Sequence, residues 1–263
     1  MRPDGRFERE FLSMSDFNRG YPRTAAAGSA DMAVDAGLRA FMLGVYNKMA
    51  LGLLVTAALA FVTSNYAPVR DLLFRVTLDG RLVGLTLLGM IVAFSPIAVM
   101  LIGQMAFKQT PRSSGIVYWT IVGLFGASLG EIALIYSVSS IFLTFLITAS
   151  AFGGLSLIGY TTKKDLTGFG SFLIMGLFGI IIASLVNAFL HLAVLAFAVN
   201  IIGVLIFSGL IAFQTQRLKM TYYQLGGDQA AMGVATNYGA LSLYLDFLNL
   251  FMFLLQLMGG GRR

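Results

Sequence analysis

The stretch "GALSLYLDFLNLFMFLLQLMG", residues 239–259, holds a single charged residue, Asp246, in an otherwise uncharged run. About twenty apolar residues suffice to cross the roughly 30 Å hydrocarbon core of a bilayer. A carboxylate at that depth costs on the order of 2.5–3.5 kcal/mol even on the mildest insertion scale. Its neighbours show how it is accommodated. Gly239, Ser242, Asp246, Asn249 and Gln256 follow at spacings of 3, 4, 3 and 7, which puts them on one face of a helix. The other positions are almost all Leu, Phe, Met and Tyr. A helix with one polar seam turns that seam toward protein or water. At 1.5 Å per residue Asp246 falls about 14 Å into the span, near the midplane. Two readings stay open: an interhelical hydrogen-bond anchor, or an ion or proton site.

The rest of the chain is of the same material. Of 263 residues 57% are hydrophobic and 11% charged, the composition of a polytopic membrane protein and not of a soluble domain. Cysteine is absent, which excludes disulfides and thiolate metal sites, and one His with scattered acids leaves no zinc or di-iron ligand set. The net charge of +6 is spread over loops and tails, so it points to anionic lipid and helix orientation and not to nucleic acid. Residues 1–38 interleave acids and bases without a sustained apolar period; they are expected to form a largely disordered tail and not a signal peptide.

Seven apolar windows follow, at about 41–64, 82–104, 115–136, 139–160, 170–190, 194–216 and 236–257. The fold expected is an all-α seven-transmembrane-helix bundle over 39–258, with 259–263 as a short C-terminal tail. An odd number of spans puts the termini on opposite sides. With the N-terminus inside, the inner segments carry Arg19, Arg23, Arg39, Lys108, Arg112, Lys163, Lys164, Arg217 and Lys219, and the outer ones Arg70, Arg75, Arg81, Arg262 and Arg263. Nine against five favours a cytoplasmic N-terminus. Gly126 and Gly130 in span three, and Gly176, Gly179, Ala183 and Asn187 in span five, let backbones approach closely. Lys48 is read as snorkelling to the inner interface, with a reach toward Asp246 as the rival reading. Glu131 falls near the outer end of span three, as an interfacial acid or part of a cation entrance. His191 is read as a surface histidine, and the Gly226-Gly227-Asp228 segment as a turn.

Several stretches resemble the Bax inhibitor-1 family, also called the transmembrane Bax inhibitor motif family, in its bacterial form. "RAFMLGVYNKMALGLLVTAALA" (39–60) is similar to its first span. "SIFLTFLITASAFGGLSLIGYTTKKDLTGFGSFLIMGLFGIIIASLVN" (140–187) is the most specific match. "GVLIFSGLIAFQTQRLK" (203–219) and "LYLDFLNLF" (243–251) are similar to the sixth and seventh spans. The resemblance implies a seventh helix surrounded by the other six, and calcium leak across the bacterial inner membrane. It also implies a pH-sensing pair of aspartates, one in each of spans six and seven. Asp246 matches the span-seven member. The span-six position is Gln214, an amide that keeps the shape of a protonated carboxyl but cannot ionise, so the pair is broken in this chain. Contact between the two positions requires span six to continue inward through Arg217.

The resulting expectation is a cation-leak channel or carrier, with no enzymatic activity and no cofactor. Asp246 would be a weak calcium ligand, and Gln214, Asn249, Ser242 and Glu131 would complete the ion or proton pathway. A lone carboxylate binds calcium weakly, because that ion takes six to eight oxygens, and weak binding suits a leak. The alternative is a non-transporting regulator of a membrane-bound ATP-dependent protease or stress response. An intramembrane aspartyl protease would need two deep carboxylates, and only Asp246 is deep enough.

Overall fold

A computed structural model describes residues 23–77, 81–106 and 108–259. Contacts divide the chain into two compact units, Met1–Ala40 and Phe41–Arg263. Of the first, only the beginning of helix α1 (Arg23–Asn65) is described. The disorder expected for 1–38 therefore lies outside the described residues for 1–22, and from Arg23 onward the backbone is helical. Residues 260–263 of the C-terminal tail also lie outside.

In the second unit α1 is followed by α2 (Ala67–Leu73), strands β1 (Phe74–Val76) and β2 (Leu82–Leu85), and helix α3 (Leu87–Ala106). Then come α4 (Pro111–Ser128), α5 (Gly130–Ile135), α6 (Val138–Thr161), α7 (Thr167–Leu190), α8 (Ala193–Leu225) and α9 (Gln229–Met258). Among the described residues, six helical stretches are long and apolar enough to cross a membrane: Asp35–Asn65, Pro111–Ile135, Val138–Thr161, Thr167–Leu190, Ala193–Leu225 and Gln229–Met258. The second predicted window, 82–104, is shorter as a helix than expected. Its first residues form β2, paired antiparallel with β1, and the apolar helix described there is Leu87–Gly103. Hydropathy alone reads a short apolar strand and a helix start alike, which is why the boundary moved.

Local chemistry explains several helix ends. Thr110 and Ser113 form a capping box ahead of α4, with Pro111 at the first helical positions. Asp228 caps α9 by accepting from the backbone N–H groups of Ala230 (2.9 Å) and Ala231 (3.1 Å). Gly226 and Gly227 make the preceding turn at φ of +56° and +89°, a conformation that favours glycine. Within α3, Pro96 has no N–H to offer the carbonyl of Val92, and the Ser95 hydroxyl donates to that carbonyl instead, at 2.8 Å.

Span three is not one straight helix. It breaks at Leu129 between α4 and α5. Gly126 and Gly130 face α1, where a Cβ on Gly126 would meet Leu59 and Thr56, and one on Gly130 would meet Thr63. Gly159 of α6 lies against the backbone of Ala212 on α8. Half of the α9 window is buried, against 11–39% for the other five. It packs on α8, α6 and α5's partner α4, and meets α1 through Gly44–Thr236 and Thr56–Tyr244.

Candidate functional site

The antiparallel pair α8–α9 sets the heights of the polar residues. Gln214 lies 11 residues before Leu225, and Asp246 lies 17 residues after Gln229, about 16 and 26 Å from the connecting turn. Span six does continue through Arg217, as contact would require, and runs on to Leu225. The two positions are nevertheless offset by about 9 Å along the axis. They are brought together by a shared space and not by touching.

That space is a cavity of about 830 Å³ whose walls come from α3, α7, α8 and α9. Gln214, Ser242, Asp246 and Asn249 all line it. Asp246 is only 7% exposed, and its Oδ2 is buried without a hydrogen-bond partner. A buried polar atom left unsatisfied costs free energy, so an orphaned carboxylate oxygen facing a cavity marks a place for water or a ligand. Asn249 donates its amide nitrogen to the Leu245 carbonyl of its own helix at 2.8 Å, so its Oδ1 is the polar atom left to serve the cavity. Arg217 and Thr221 line the end of the cavity toward the connecting turn.

Two residues of the predicted set fall elsewhere. Glu131 lies in the first turn of α5, half-buried, and is not among the residues lining this cavity. Gln256, the last residue of the seam, is exposed. Lys48 does not reach Asp246. It donates to Asn237 Oδ1 and sits 5.3 Å from the centre of the Tyr118 ring. Asn237 in turn donates to the carbonyl of Pro111 (2.8 Å) and to Ser114 Oγ (2.7 Å), and Tyr118 donates to the Lys48 carbonyl (2.7 Å). These bonds tie α1, α4 and α9 together on the opposite side of α9 from the cavity, with Thr56–Tyr244 (2.7 Å) as a further tie.

One residue that the seam analysis passed over is Tyr238. It lines the same cavity, and its hydroxyl is also buried without a partner. The signal was available: residues 238, 242 and 246 follow at spacings of four, so Tyr238 shares the face of Ser242 and Asp246. Its ring hid it among the apolar residues. Among the described residues, no group of three or more His, Cys, Asp or Glu gathers as a metal cluster. A cation at Asp246 would draw its remaining ligands from amides, hydroxyls and water.

The loop between α6 and α7 is fastened to α8. Gln216 accepts from the Leu166 N–H at 2.8 Å and donates to the Lys164 carbonyl at 2.7 Å, while Lys219 donates to the Tyr160 carbonyl at 3.3 Å. In that loop the Thr167 hydroxyl and backbone N–H both donate to Asp165, at 2.6 and 2.8 Å, and hold its carboxyl below the usual carboxylate range.

Comparison with known proteins matches the whole of this helical region. The family described as inhibitor of apoptosis-promoting Bax1 matches residues 38–263. An uncharacterized protein of Caulobacter vibrioides is 63% identical over 250 residues, covering 95% of this chain and 100% of the relative. The inner membrane protein YbhL of Escherichia coli strain K12 is 41% identical over 228 residues, covering 86% of this chain and 94% of its own length. An uncharacterized membrane protein of Streptococcus pyogenes is 32% identical over 227 residues, with the same coverage of 86% and 94%.

Proposed function

Because the chain belongs to the Bax inhibitor-1 family, we propose that it is a cation leak of the bacterial inner membrane, with calcium as the foremost ion and no enzymatic chemistry. One observation carries the reading: Asp246 Oδ2 is buried in a membrane-spanning helix, faces a cavity and has no hydrogen-bond partner. The arrangement proposed is a seven-helix bundle with α3 as the additional span and α9 surrounded by the others. The burial of α9 supports this. The relative named as an inner membrane protein supports the location, and the distribution of Lys and Arg supports an N-terminus in the cytoplasm.

A cation in the cavity would meet the oxygens of Asp246 and Asn249, with the hydroxyl and amide oxygens of Ser242 and Gln214 standing between them and Arg217. One carboxylate with a few neutral oxygens binds calcium weakly, which allows the ion to leave again. With Gln214 in place of a second acid, two carboxylates cannot compete for one proton, so the pH response is weak in this chain. The test is calcium flux into liposomes carrying the purified protein. Asp246→Asn keeps the side-chain shape and should abolish most of the flux. Flux equal to wild type, at equal incorporated protein, removes Asp246 from the route.

A further inference from the structure

The walls around Asp246 suit something other than a bare ion. On the sides of α3 and α7 the cavity is lined by Ile97, Met100 and Ile180, and across from them by Phe207 and Phe253. A stripped divalent ion needs six to eight oxygens, which such walls do not offer. A molecule with an apolar body and one ammonium group uses both the walls and the carboxylate. At about 830 Å³ the space lies within the roughly 300–1,000 Å³ usual for small-molecule sites, which are apolar with a few convergent polar groups.

The polar atoms also set the length of the occupant. Asp246 Oδ2 and the Tyr238 hydroxyl are the two buried polar side-chain atoms without partners among the described residues, and both residues line this cavity. They are eight residues apart on α9, about 12 Å of helix rise. Arg217 lies 8 residues before Leu225 and Tyr238 lies 9 after Gln229, so the guanidinium-bearing residue stands at the height of Tyr238. One end of the cavity thus favours a cation, and the other repels one.

We propose that this cavity is a binding site for an amphipathic monoamine. Its ammonium group pairs with Asp246, its apolar body lies along Ile97, Met100 and Phe253, and an uncharged polar end meets the Tyr238 hydroxyl near Arg217. The ammonium N–H donates to the Asp246 carboxylate, a charge-assisted hydrogen bond. The site shares Asp246 with the proposed cation route but does not require that any ion cross the membrane, so equilibrium binding tests it apart from flux.

Three probes of equal length separate the contributions: 8-aminooctan-1-ol, octane-1,8-diol, which has no ammonium, and 1,8-diaminooctane, which brings a second cation to Arg217. Each is titrated calorimetrically into the protein in nanodiscs, with empty nanodiscs subtracted. The amino alcohol should bind saturably, and the diol and the diamine at least about fivefold more weakly. Asp246→Asn should weaken the amino alcohol about tenfold or more, the loss expected for a charge-assisted hydrogen bond. Tyr238→Phe should weaken it by roughly fivefold, as for a neutral one. Ile97→Trp, which changes neither polar anchor, should weaken binding by narrowing the apolar wall. No saturable heat above empty nanodiscs overturns the proposal. So does a diol that matches the amino alcohol, or unchanged affinity in a folded Asp246→Asn or Ile97→Trp protein.

Discussion

Adding one methyl group at Gly159 tests whether α6 and α8 are held at the distance described. A Cβ on Gly159 would lie 2.2 Å from the carbonyl oxygen of Ala212 and 2.9 Å from its carbonyl carbon. A carbon normally approaches a carbonyl oxygen to about 3.3–3.6 Å, so the helices must part by roughly 1 Å. The obstacle is backbone, and no rotamer change can relieve it. A gap of 0.5–1 Å forfeits about a quarter to a half of each dispersion contact, each worth about 0.1–0.2 kcal/mol. Over roughly 40 facing atom pairs the loss is about 2 kcal/mol, within the ~1–3 kcal/mol usual for overpacking. Gly179→Ala is the matched control, because a Cβ there meets nothing within 4 Å. It should be neutral, or gain up to about 1 kcal/mol from helix propensity. Both variants are compared with wild type by reversible unfolding in mixed micelles of increasing denaturing detergent. The reasoning fails if Gly159→Ala lies within about 0.5 kcal/mol of wild type, or if Gly179→Ala loses as much.

Other expectations follow from the same geometry. Single cysteines at Lys108 and Lys163, both exposed, should resist a membrane-impermeant thiol reagent in intact cells while one at Arg81 is labelled; the reverse pattern inverts the topology. Gln214→Asp places a second carboxylate in the Asp246 cavity, so calcium flux in liposomes should become more pH-dependent, and adding Asp246→Asn should remove that gain. A double-mutant cycle of Thr56→Val with Tyr244→Phe should give a coupling near 0.6 kcal/mol and no more than about 1.7 kcal/mol in the detergent assay. The Asp165 carboxyl, held low by Thr167, adds stability above the usual carboxylate range and loses it as pH falls through its depressed value. In Thr167→Ala the carboxyl should titrate at higher pH, as read from its chemical shift, and that contribution should shrink.

Legibility from sequence differed by element. Long apolar helices declare themselves through hydropathy, and α6 and α7 begin and end close to the windows read for them. The extensions of α8 and α9 toward their connecting turn were not visible, because past Arg217 and before residue 236 the pattern turns polar while the helices continue. Strand β2 was absorbed into a span, since "LVGL" has the hydropathy of a helix start. At the candidate site, the period of α9 placed Ser242, Asp246 and Asn249 on one face, and they do share a cavity. The heights of Gln214 and Asp246 depend on where the connecting turn lies, which the three residues Gly226, Gly227 and Asp228 set. Lys48 escaped prediction for a different reason. Its partner Asn237 lies just ahead of the stretch whose seam was read, and hydropathy cannot distinguish a bonded amide from a solvated one.

The proline in α3 makes one wall of the cavity adjustable. Ile97 and Met100 follow Pro96 directly, and the rung that would stiffen the helix there is a single hydroxyl bond from Ser95. Met100 lies four residues beyond Pro96, about 6 Å, so a hinge of roughly 10° at the proline carries it about 1 Å toward or away from α9. The depth of the cavity is set by rigid helices, but its width depends on the angle of a joint. A cavity whose width follows a joint can admit occupants of different girth without moving Asp246, and a bulky side chain at Ile97 acts on that joint as well as on the space it fills.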